Sequence, residues 1–279
     1  MLTEFCNYPK IKPIPFKPLN FPVMVIAHRG FSYIAPENTI ESFQRAIDIG
    51  VDMIELDIHL TKDNEIVVIH DDTVNRTTNG KGYVKDLTLN ELKKLDAGSW
   101  FDPNFSVEKI PTLEEVLKIS YNKVMVNIEI KKSLHTNNNG IEELTLKLVD
   151  KYDMTKHVLF SSFNKESLKI IKEINPSVPV FILYRQRARK KIAEICSSIM
   201  ADGFTNTRFF INKKVIKQAH LNDLSINAYV VNTRSSMKKL IKYGIDGIIT
   251  DRPDVLIDVL RRKYDRKFRR EQKLKKKKL

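Results

Sequence analysis

The sequence predicts a (β/α)8 barrel, and three observations carry this prediction. Apolar segments of strand length alternate with helical segments between residues 23 and 260, and such alternation is typical of a parallel sheet. Eight strand–helix units can be counted, which is the number that closes a barrel. The one exception to the alternation reads as a hairpin, so the count of eight parallel strands is unchanged. A doubly wound open sheet is the alternative.

The elements follow a Pro-rich arm over residues 1–22, which we expect to be extended because each proline removes a backbone donor. The eight predicted strands are Val23–His28, Met53–Leu60, Val124–Ile130, Val158–Phe163, Val180–Tyr184, Asp202–Thr207, Ile226–Asn232 and Gly247–Thr250. Helices are predicted near residues 39–49, 112–120, 140–151, 164–174, 187–198, 212–220 and 235–242. A last helix begins after Pro253.

The run Ile66–His70 is strand-like and breaks the alternation, because only a short polar link separates it from Leu60. A parallel crossover needs a dozen or more residues, so residues 53–60 and 65–70 are predicted to form an antiparallel β-hairpin. Its return arm brings His70 back beside the acidic end of the outgoing strand. Residues 72–111 then form a short, loop-rich excursion after strand 2, on the side where barrel loops build active sites.

Composition and charge divide the chain into an arm (1–22), a barrel domain (23–260) and a basic tail (261–279). The formal net charge is +14, and 12 Lys and Arg against two acids give the tail +10 of it, so the rest carries +4. Such a tail can contact an anionic membrane surface or nucleic acid, or be a solvated helix end. Nucleic acid is the less favoured partner, since no known binding module is present.

The two cysteines, Cys6 and Cys196, are far apart and form no CxxC motif, which excludes a disulfide framework and a cysteine-zinc site. A reducing, cytoplasmic location is therefore expected. No apolar run approaches the roughly 18 residues that a membrane span requires. Five prolines interrupt residues 1–22, so this segment lacks the apolar core of a signal peptide.

Polar side chains alternate with aliphatic ones along two of the predicted strands. In Met53–Leu60 the residues Glu55, Asp57 and His59 share one face, and in Val124–Lys131 the residues Asn127, Glu129 and Lys131 do. The aliphatic faces suit the outer helices, so the polar faces point into the barrel. Buried carboxylates need compensation, and an all-oxygen cluster suits Mg²⁺ or Ca²⁺ better than zinc. A salt-bridge cluster with Lys131 and Arg29 is the alternative.

Two histidines lie at predicted strand ends near these carboxylates. His28 and Arg29 end the first strand, and Gly30 allows a tight turn there; His70 ends the hairpin. Two imidazoles near neutral pH can serve as base and acid, and Arg29 and Lys131 suit phosphate oxygens. Together with a divalent cation, these groups predict phosphoryl chemistry. No Walker motif or dinucleotide glycine fingerprint is present in the sequence.

The next segment, Pro36–Thr39, begins the first predicted helix. Asn38 or Thr39 should cap that helix, and Glu37 can either reach the site or favour the helix amino terminus. We expect a structural role for all three residues.

These motifs, taken in order, resemble the glycerophosphodiester phosphodiesterase family over about residues 23–260. Any single motif is weak, whereas the ordered set is specific. The matching segments are Ile26–Gly30, Pro36–Thr39, Glu55–Asp63, His70–Asp71, Asn127–Lys131, Ser161–Phe163 and Asp246–Asp251.

The resemblance implies a TIM barrel that hydrolyses glycerophosphodiesters, such as glycerophosphocholine, to glycerol 3-phosphate and an alcohol. It implies three kinds of site residue: metal ligands, an acid/base pair of histidines, and phosphate-binding cations. These are Glu55, Asp57 and Glu129 for the metal, His28 and His70 for catalysis, and Arg29 and Lys131 for the phosphate. The substrate's own 2-hydroxyl is implied as the nucleophile, giving a cyclic phosphate that water opens.

Two features depart from the family pattern. Tyr229 stands in a late strand where the family often has Trp, which predicts altered substrate preference; Phe163 and Tyr229 are candidate walls for the glycerol. The excursion is short compared with that of some members, which suggests an open site. A lysophospholipase D acting at a membrane is the same-fold alternative, with Trp100, Phe101 and Phe105 as its apolar rim.

Overall fold

The computed structural model describes residues 21–131, 140–186 and 190–276, and the side chains of these residues except 190, 191 and 265–276. The strands are β1 (Met24–His28), β2 (Met53–Leu60), β3 (Ile66–Val68), β4 (Met125–Ile130), β5 (Val158–Ser162), β6 (Val180–Tyr184), β7 (Gly203–Thr207), β8 (Ser225–Tyr229) and β9 (Gly247–Thr250). The helices are α1 (Ile40–Asp48), α2 (Leu89–Lys94), α3 (Leu113–Ser120), α4 (Ile141–Lys151), α5 (Lys165–Ile174), α6 (Lys190–Ser198), α7 (Lys213–Leu221), α8 (Arg234–Tyr243) and α9 (Pro253–Lys276).

Eight parallel strands form a closed barrel. Their order is β1-β2-β4-β5-β6-β7-β8-β9, and β1 pairs with both β2 and β9. Because the first and last strands pair, the sheet has no open edge there, which confirms the (β/α)8 prediction over the doubly wound alternative. The ninth strand, β3, pairs antiparallel with β2, Ile58 lying opposite Val68, so the predicted hairpin is also confirmed.

The strands bury two different faces. Their outward residues, such as Ile54, Leu56 and Ile58, pack against the helices in the main core. Six apolar residues fill the inside of the barrel nearer the amino ends of the strands: Met24, Ile26, Met53, Leu159, Phe181 and Ile249. Each such burial stabilises the fold by about 1.5–3 kcal/mol. We call these six residues the apolar plug. The polar inward residues lie between the plug and the carboxyl ends of the strands.

Thr39 caps α1, as one of the two predicted candidates: its side chain accepts a hydrogen bond from the Ser42 amide. The excursion differs from the loop-rich prediction, because it contains α2 and a small core of its own that includes Val74, Val84 and Leu92. Thr88 and Glu91 form a capping box at the start of α2. Helix α2 was therefore visible in the sequence as a Thr-x-x-Glu signature.

Helix α9 runs back along the barrel toward the amino ends of the strands. The ring of Tyr264 lies 6.2 Å from that of Phe21, which precedes β1. The first residues of the predicted tail thus continue the last barrel helix, which extends to Lys276. Residues 1–20 of the predicted arm and 277–279 of the tail lie outside the described residues. In the part of the chain that the structure describes, no helix is long and apolar enough to cross a membrane.

Candidate active site

Three buried carboxylates meet inside the carboxyl end of the barrel. Glu55 and Asp57 come from β2, and Glu129 comes from the neighbouring β4, where it is paired with Asp57. One oxygen from each of the three lies within 4.8 Å of the others. The polar face predicted from the alternation therefore brings these carboxylates together.

The proximity of the carboxylates perturbs their protonation. Burial, together with the charge of Asp57, raises the pKa of Glu55 to about 8. Burial also raises the pKa of Glu129. Burial acts on Asp57 in the same direction, but Lys131 and Arg29 outweigh it and hold the pKa of Asp57 well below its usual range. One carboxylate is thus compensated by cations, while two resist ionisation.

Arg29 and Lys131 supply the positive charge of the cluster. Lys131 Nζ lies 2.8 Å from Asp57 Oδ1 and 2.6 Å from Glu129 Oε1. Arg29 Nη1 donates to Glu37 Oε1 at 2.7 Å, and its Nε lies 3.3 Å from Asp57 Oδ2. The Arg29 backbone N–H donates to Glu55 Oε2 at 3.0 Å. The predicted salt-bridge cluster is therefore present.

The cluster still fits a divalent cation. Three carboxylates share two cations, one of which, Arg29, also pairs with Glu37, so the fully ionised cluster would carry excess negative charge. The donors are all oxygens, the set that Mg²⁺ and Ca²⁺ prefer. Among the described residues, the side-chain amide of Asn127 and the Ser161 hydroxyl are buried beside these positions without a hydrogen-bond partner. Such groups suit the bound water of a hydrated ion.

The two predicted histidines are each held by an aspartate. His28 Nδ1 lies 2.6 Å from Asp251 Oδ1, and His70 Nδ1 lies 2.6 Å from Asp71 Oδ1. Both rings interact electrostatically with the carboxylate cluster, His28 with Glu55 and His70 with Asp57. In each case the aspartate fixes one ring nitrogen, which leaves Nε2 to exchange a proton.

The environments of the two rings differ. Burial opposes the charge of His28, but the hydrogen bond to Asp251 and the charge of Glu55 outweigh it, so the pKa of His28 is raised. Burial dominates at His70 and lowers its pKa. The same face of β2 carries His59, which lies 3.2 Å through Nε2 from the backbone oxygen of His70. His59 therefore supports the His70 loop.

Several residues around the site were missed or undervalued in the sequence. Asp251 belongs to a matching motif but has no predicted role of its own, although the pairing of β9 with β1 places it beside His28. Asn38 was expected to be structural, but its Nδ2 donates to Asp57 Oδ2 at 2.8 Å. Glu37 also reaches the site, and Arg76 bridges it to Asp71. The predicted closure of the barrel could have indicated that Asp251 lies beside His28. Arg76 lies in the excursion, where no sequence pattern indicates its contacts.

The two aromatic candidates lie at different depths. Tyr229 ends β8 and packs against the apolar plug inside the barrel. Phe163 follows β5 and is 37% exposed, so its ring lies at the outer mouth. The three candidates for a membrane rim contact one another: Phe101 packs edge-on against Trp100 and Phe105. Arg45 of the outer helix α1 lies over the Phe105 ring, so these aromatics form a cluster beside α1.

The chain is similar to known proteins along most of its length. A model of the glycerophosphoryl diester phosphodiesterase family matches residues 28–255. The glycerophosphodiester phosphodiesterase of Caldanaerobacter subterraneus subsp. tengcongensis is 42% identical over 86% of this chain and 98% of its own length. YhdW of Bacillus subtilis is 44% identical over 84% of this chain and 96% of its own.

A solved structure is similar over the whole barrel. It is an Oleispira antarctica phosphodiesterase in complex with the product sn-glycerol-3-phosphate. The TM-score is 0.77 at 30% identity, covering 86% of this chain and 96% of that one.

Proposed function

Because the chain belongs to the glycerophosphoryl diester phosphodiesterase family and is a glycerophosphodiester phosphodiesterase, we propose that it hydrolyses deacylated phospholipids with the help of a divalent cation. The substrates are small glycerophosphodiesters, such as glycerophosphocholine, and the products are glycerol 3-phosphate and an alcohol. The observation that carries the proposal is the convergence of three carboxylates and two aspartate-held histidines at one end of the barrel. The product bound to the Oleispira relative supports the glycerol 3-phosphate assignment.

Glu55, Asp57 and Glu129 hold the cation, either Mg²⁺ or Ca²⁺. When bound, it supplies Lewis-acid stabilisation of the charge that develops on the phosphoryl oxygens. Arg29 and Lys131 contact the same oxygens, and their existing carboxylate partners keep them charged and in place. Glu37 and Arg76 hold Arg29 and Asp71 from the far side.

His28 and His70 move the protons. One imidazole accepts the proton of the substrate's 2-hydroxyl as its oxygen forms a bond to phosphorus, and the other gives a proton to the departing alcohol as the P–O bond breaks. Water then opens the resulting cyclic phosphate with the roles reversed. The Cys196 thiol is no alternative nucleophile, because burial raises its pKa to about 12.

Product analysis tests the proposal. The protein is incubated with glycerophosphocholine, glycerophosphoethanolamine, glycerophosphoglycerol and lysophosphatidylcholine, with and without EDTA. We expect glycerol 3-phosphate from the three diesters, loss of turnover after chelation and recovery with Mg²⁺ or Ca²⁺. Turnover that survives exhaustive chelation contradicts the metal role. Release of choline from the lysophospholipid alone would favour the lysophospholipase D alternative.

A further inference from the structure

One arginine at the mouth of the barrel has no part in the proposed reaction. Arg185 directly follows β6, and its guanidinium lies over the Phe163 ring, 4.5 Å from the centroid. Its Nε donates to the Tyr229 hydroxyl at 3.3 Å. Arg185 therefore joins the ends of β5 and β8 across the mouth.

Phe163, Arg185 and Tyr229 form one wall of the mouth. This wall is continuous with the carboxylate cluster. The Tyr229 phenol interacts electrostatically with Glu129 and Lys131, and its ring packs on the plug inside the barrel. Arg185 lies at the outer end of the same wall and is exposed. The path from Lys131 to the open mouth of the barrel therefore leads past Tyr229 to the Arg185 guanidinium.

The charge of Arg185 differs from that of the cations around the carboxylate cluster. Arg29, Arg76 and Lys131 each contact at least one carboxylate at 2.8 Å or less. Within the described residues, no carboxylate oxygen lies within salt-bridge distance of Arg185. Stacking on Phe163 uses the face of the guanidinium, and Tyr229 takes only Nε–H. Among the described residues, no hydrogen bond uses the four N–H groups of its two terminal nitrogens, and such free groups on a planar guanidinium suit a carboxylate or a phosphate.

We propose that Arg185 makes the enzyme prefer glycerophosphodiesters whose alcohol carries a further negative charge, such as a second phosphate. The inference rests on the proposed function, since it needs the reacting phosphate at the carboxylate cluster. The inference places the departing alcohol beside Phe163 and Tyr229, in place of the glycerol expected there from the sequence, because the alcohol departs through the open end, where Arg185 lies.

The same arrangement works against a cationic alcohol. Phe163 is an exposed aromatic that would otherwise attract a quaternary ammonium group. Its face is already covered by the guanidinium, and a second cation there meets a like charge. Choline is therefore the alcohol that this wall favours least.

Kinetics with three diesters test the charge preference. The diesters are bis(glycerophospho)glycerol, whose alcohol is anionic, glycerophosphoglycerol, whose alcohol is neutral, and glycerophosphocholine, whose alcohol is cationic. We expect kcat/KM to fall in that order for the unaltered enzyme. In Arg185→Gln, the ratio of the anionic to the cationic substrate should fall about fivefold, the size of one exposed charge pair. Arg185→Glu should lower it further, and about 0.5 M salt should shrink all these differences.

Arg252→Gln is the matched control. Arg252 also stacks on an exposed aromatic at this end, 3.8 Å from the Tyr33 centroid, but Asp254 neutralises it at 3.0 Å. Its loss should leave the substrate ratio unchanged. An unchanged ratio in Arg185→Gln, in a variant with unaltered circular dichroism and melting temperature, overturns the inference. If no diester is hydrolysed by the unaltered enzyme, the proposed function itself fails, which is a separate result.

Discussion

The two ends of this barrel satisfy their carboxylates in opposite ways. At the amino end, three aspartates each precede a strand and accept the backbone N–H of the neighbouring strand at 2.8–2.9 Å. The pairs are Asp52 with Val25, Asp202 with Val180, and Asp246 with Ile226. Two of these aspartates also hold a basic side chain, Lys172 or His220. At the carboxyl end, Glu55, Asp57 and Glu129 face one another.

The difference lies in the donors. Fixed amide groups satisfy all three aspartates of the amino end, and a basic side chain also pairs with two of them, so these residues join strands rather than bind a ligand. The carboxylates of the carboxyl end share too few donors, and burial raises the pKa of Glu55 to about 8. A folded chain tolerates such a site when an external cation completes it. Substituting acidic residues at the carboxyl end should therefore lower turnover, whereas substituting those at the amino end should lower stability.

The largest expected effect comes from charge removal at the carboxyl end. In Glu129→Gln we expect kcat to fall on the order of 10³-fold and calorimetric binding of Mg²⁺ to be lost. The melting temperature without metal should stay the same or rise, because the substitution removes a buried carboxylate that the charge of Asp57 repels. Asp202→Asn is the control from the amino end: it should lose about 1–3 kcal/mol of unfolding free energy at unchanged kcat. Normal turnover by Glu129→Gln would remove the distinction between the two ends.

The histidines sharpen the comparison, because both ends pair a histidine with an aspartate. His28→Ala and His70→Ala should each lower kcat by on the order of 10²-fold or more, whereas His220→Ala at the amino end should leave kcat unchanged. His59→Ala should have a smaller effect than either catalytic position, since His59 contacts the backbone of His70. Equal losses at His28, His59 and His70 would contradict these roles.

The pH profile of the unaltered enzyme should be bell-shaped. The pKa of His70 is lowered and that of His28 is raised, so neutral His70 and charged His28 coexist across the range between them. Activity should fall on the acid side as His70 gains a proton, and on the alkaline side as His28 loses one. His28→Ala should remove the alkaline limb from the residual rate.

The alternation of strand and helix segments predicted the fold. The alternation of residues along two strands predicted the carboxylate cluster, because strand geometry decides which side chains point inward. The contacts that join distant segments around the site could not be obtained in this way. Asp251 reaches His28 only because β9 closes on β1, and Arg76 reaches Glu37 from an excursion without periodicity. Arg185 follows a strand end as Arg29 does, but its lack of a carboxylate partner is a three-dimensional property.

A smaller effect is expected for the pH dependence of stability at the amino end. The hydrogen bond to Asp246 outweighs burial and raises the pKa of His220 above its ordinary value of 6.5. The charged form is therefore favoured in the folded state, so its stabilisation is complete below pH 6.5 and is lost as pH rises through the raised pKa. Urea unfolding of the unaltered protein and His220→Gln should differ by about 1 kcal/mol near pH 6 and converge near pH 9. A constant difference would show that packing, not charge, is what His220 contributes.

The smallest effect on turnover is expected from the basic end of α9, which leaves the barrel at its amino end. A truncation after Tyr264 keeps the ring contact with Phe21 and the apolar residues of α9 that pack in the main core, and it removes nine of the 12 basic residues of the tail. Turnover of glycerophosphoglycerol should be nearly unchanged, because surface charge is screened within about 10 Å at ordinary salt and the tail lies at the end opposite the site.

Binding to vesicles that contain anionic lipid responds differently to the same truncation. Each basic residue near such a surface contributes roughly 1 kcal/mol, so co-sedimentation with these vesicles should be lost, while neutral vesicles should show no difference. A tail attached to a membrane would hold the amino end of the barrel toward the lipid and the active site toward water, where deacylated diesters dissolve. A truncated protein that keeps its melting temperature but loses turnover would make the tail part of the catalytic end, and the division between the two ends would no longer hold.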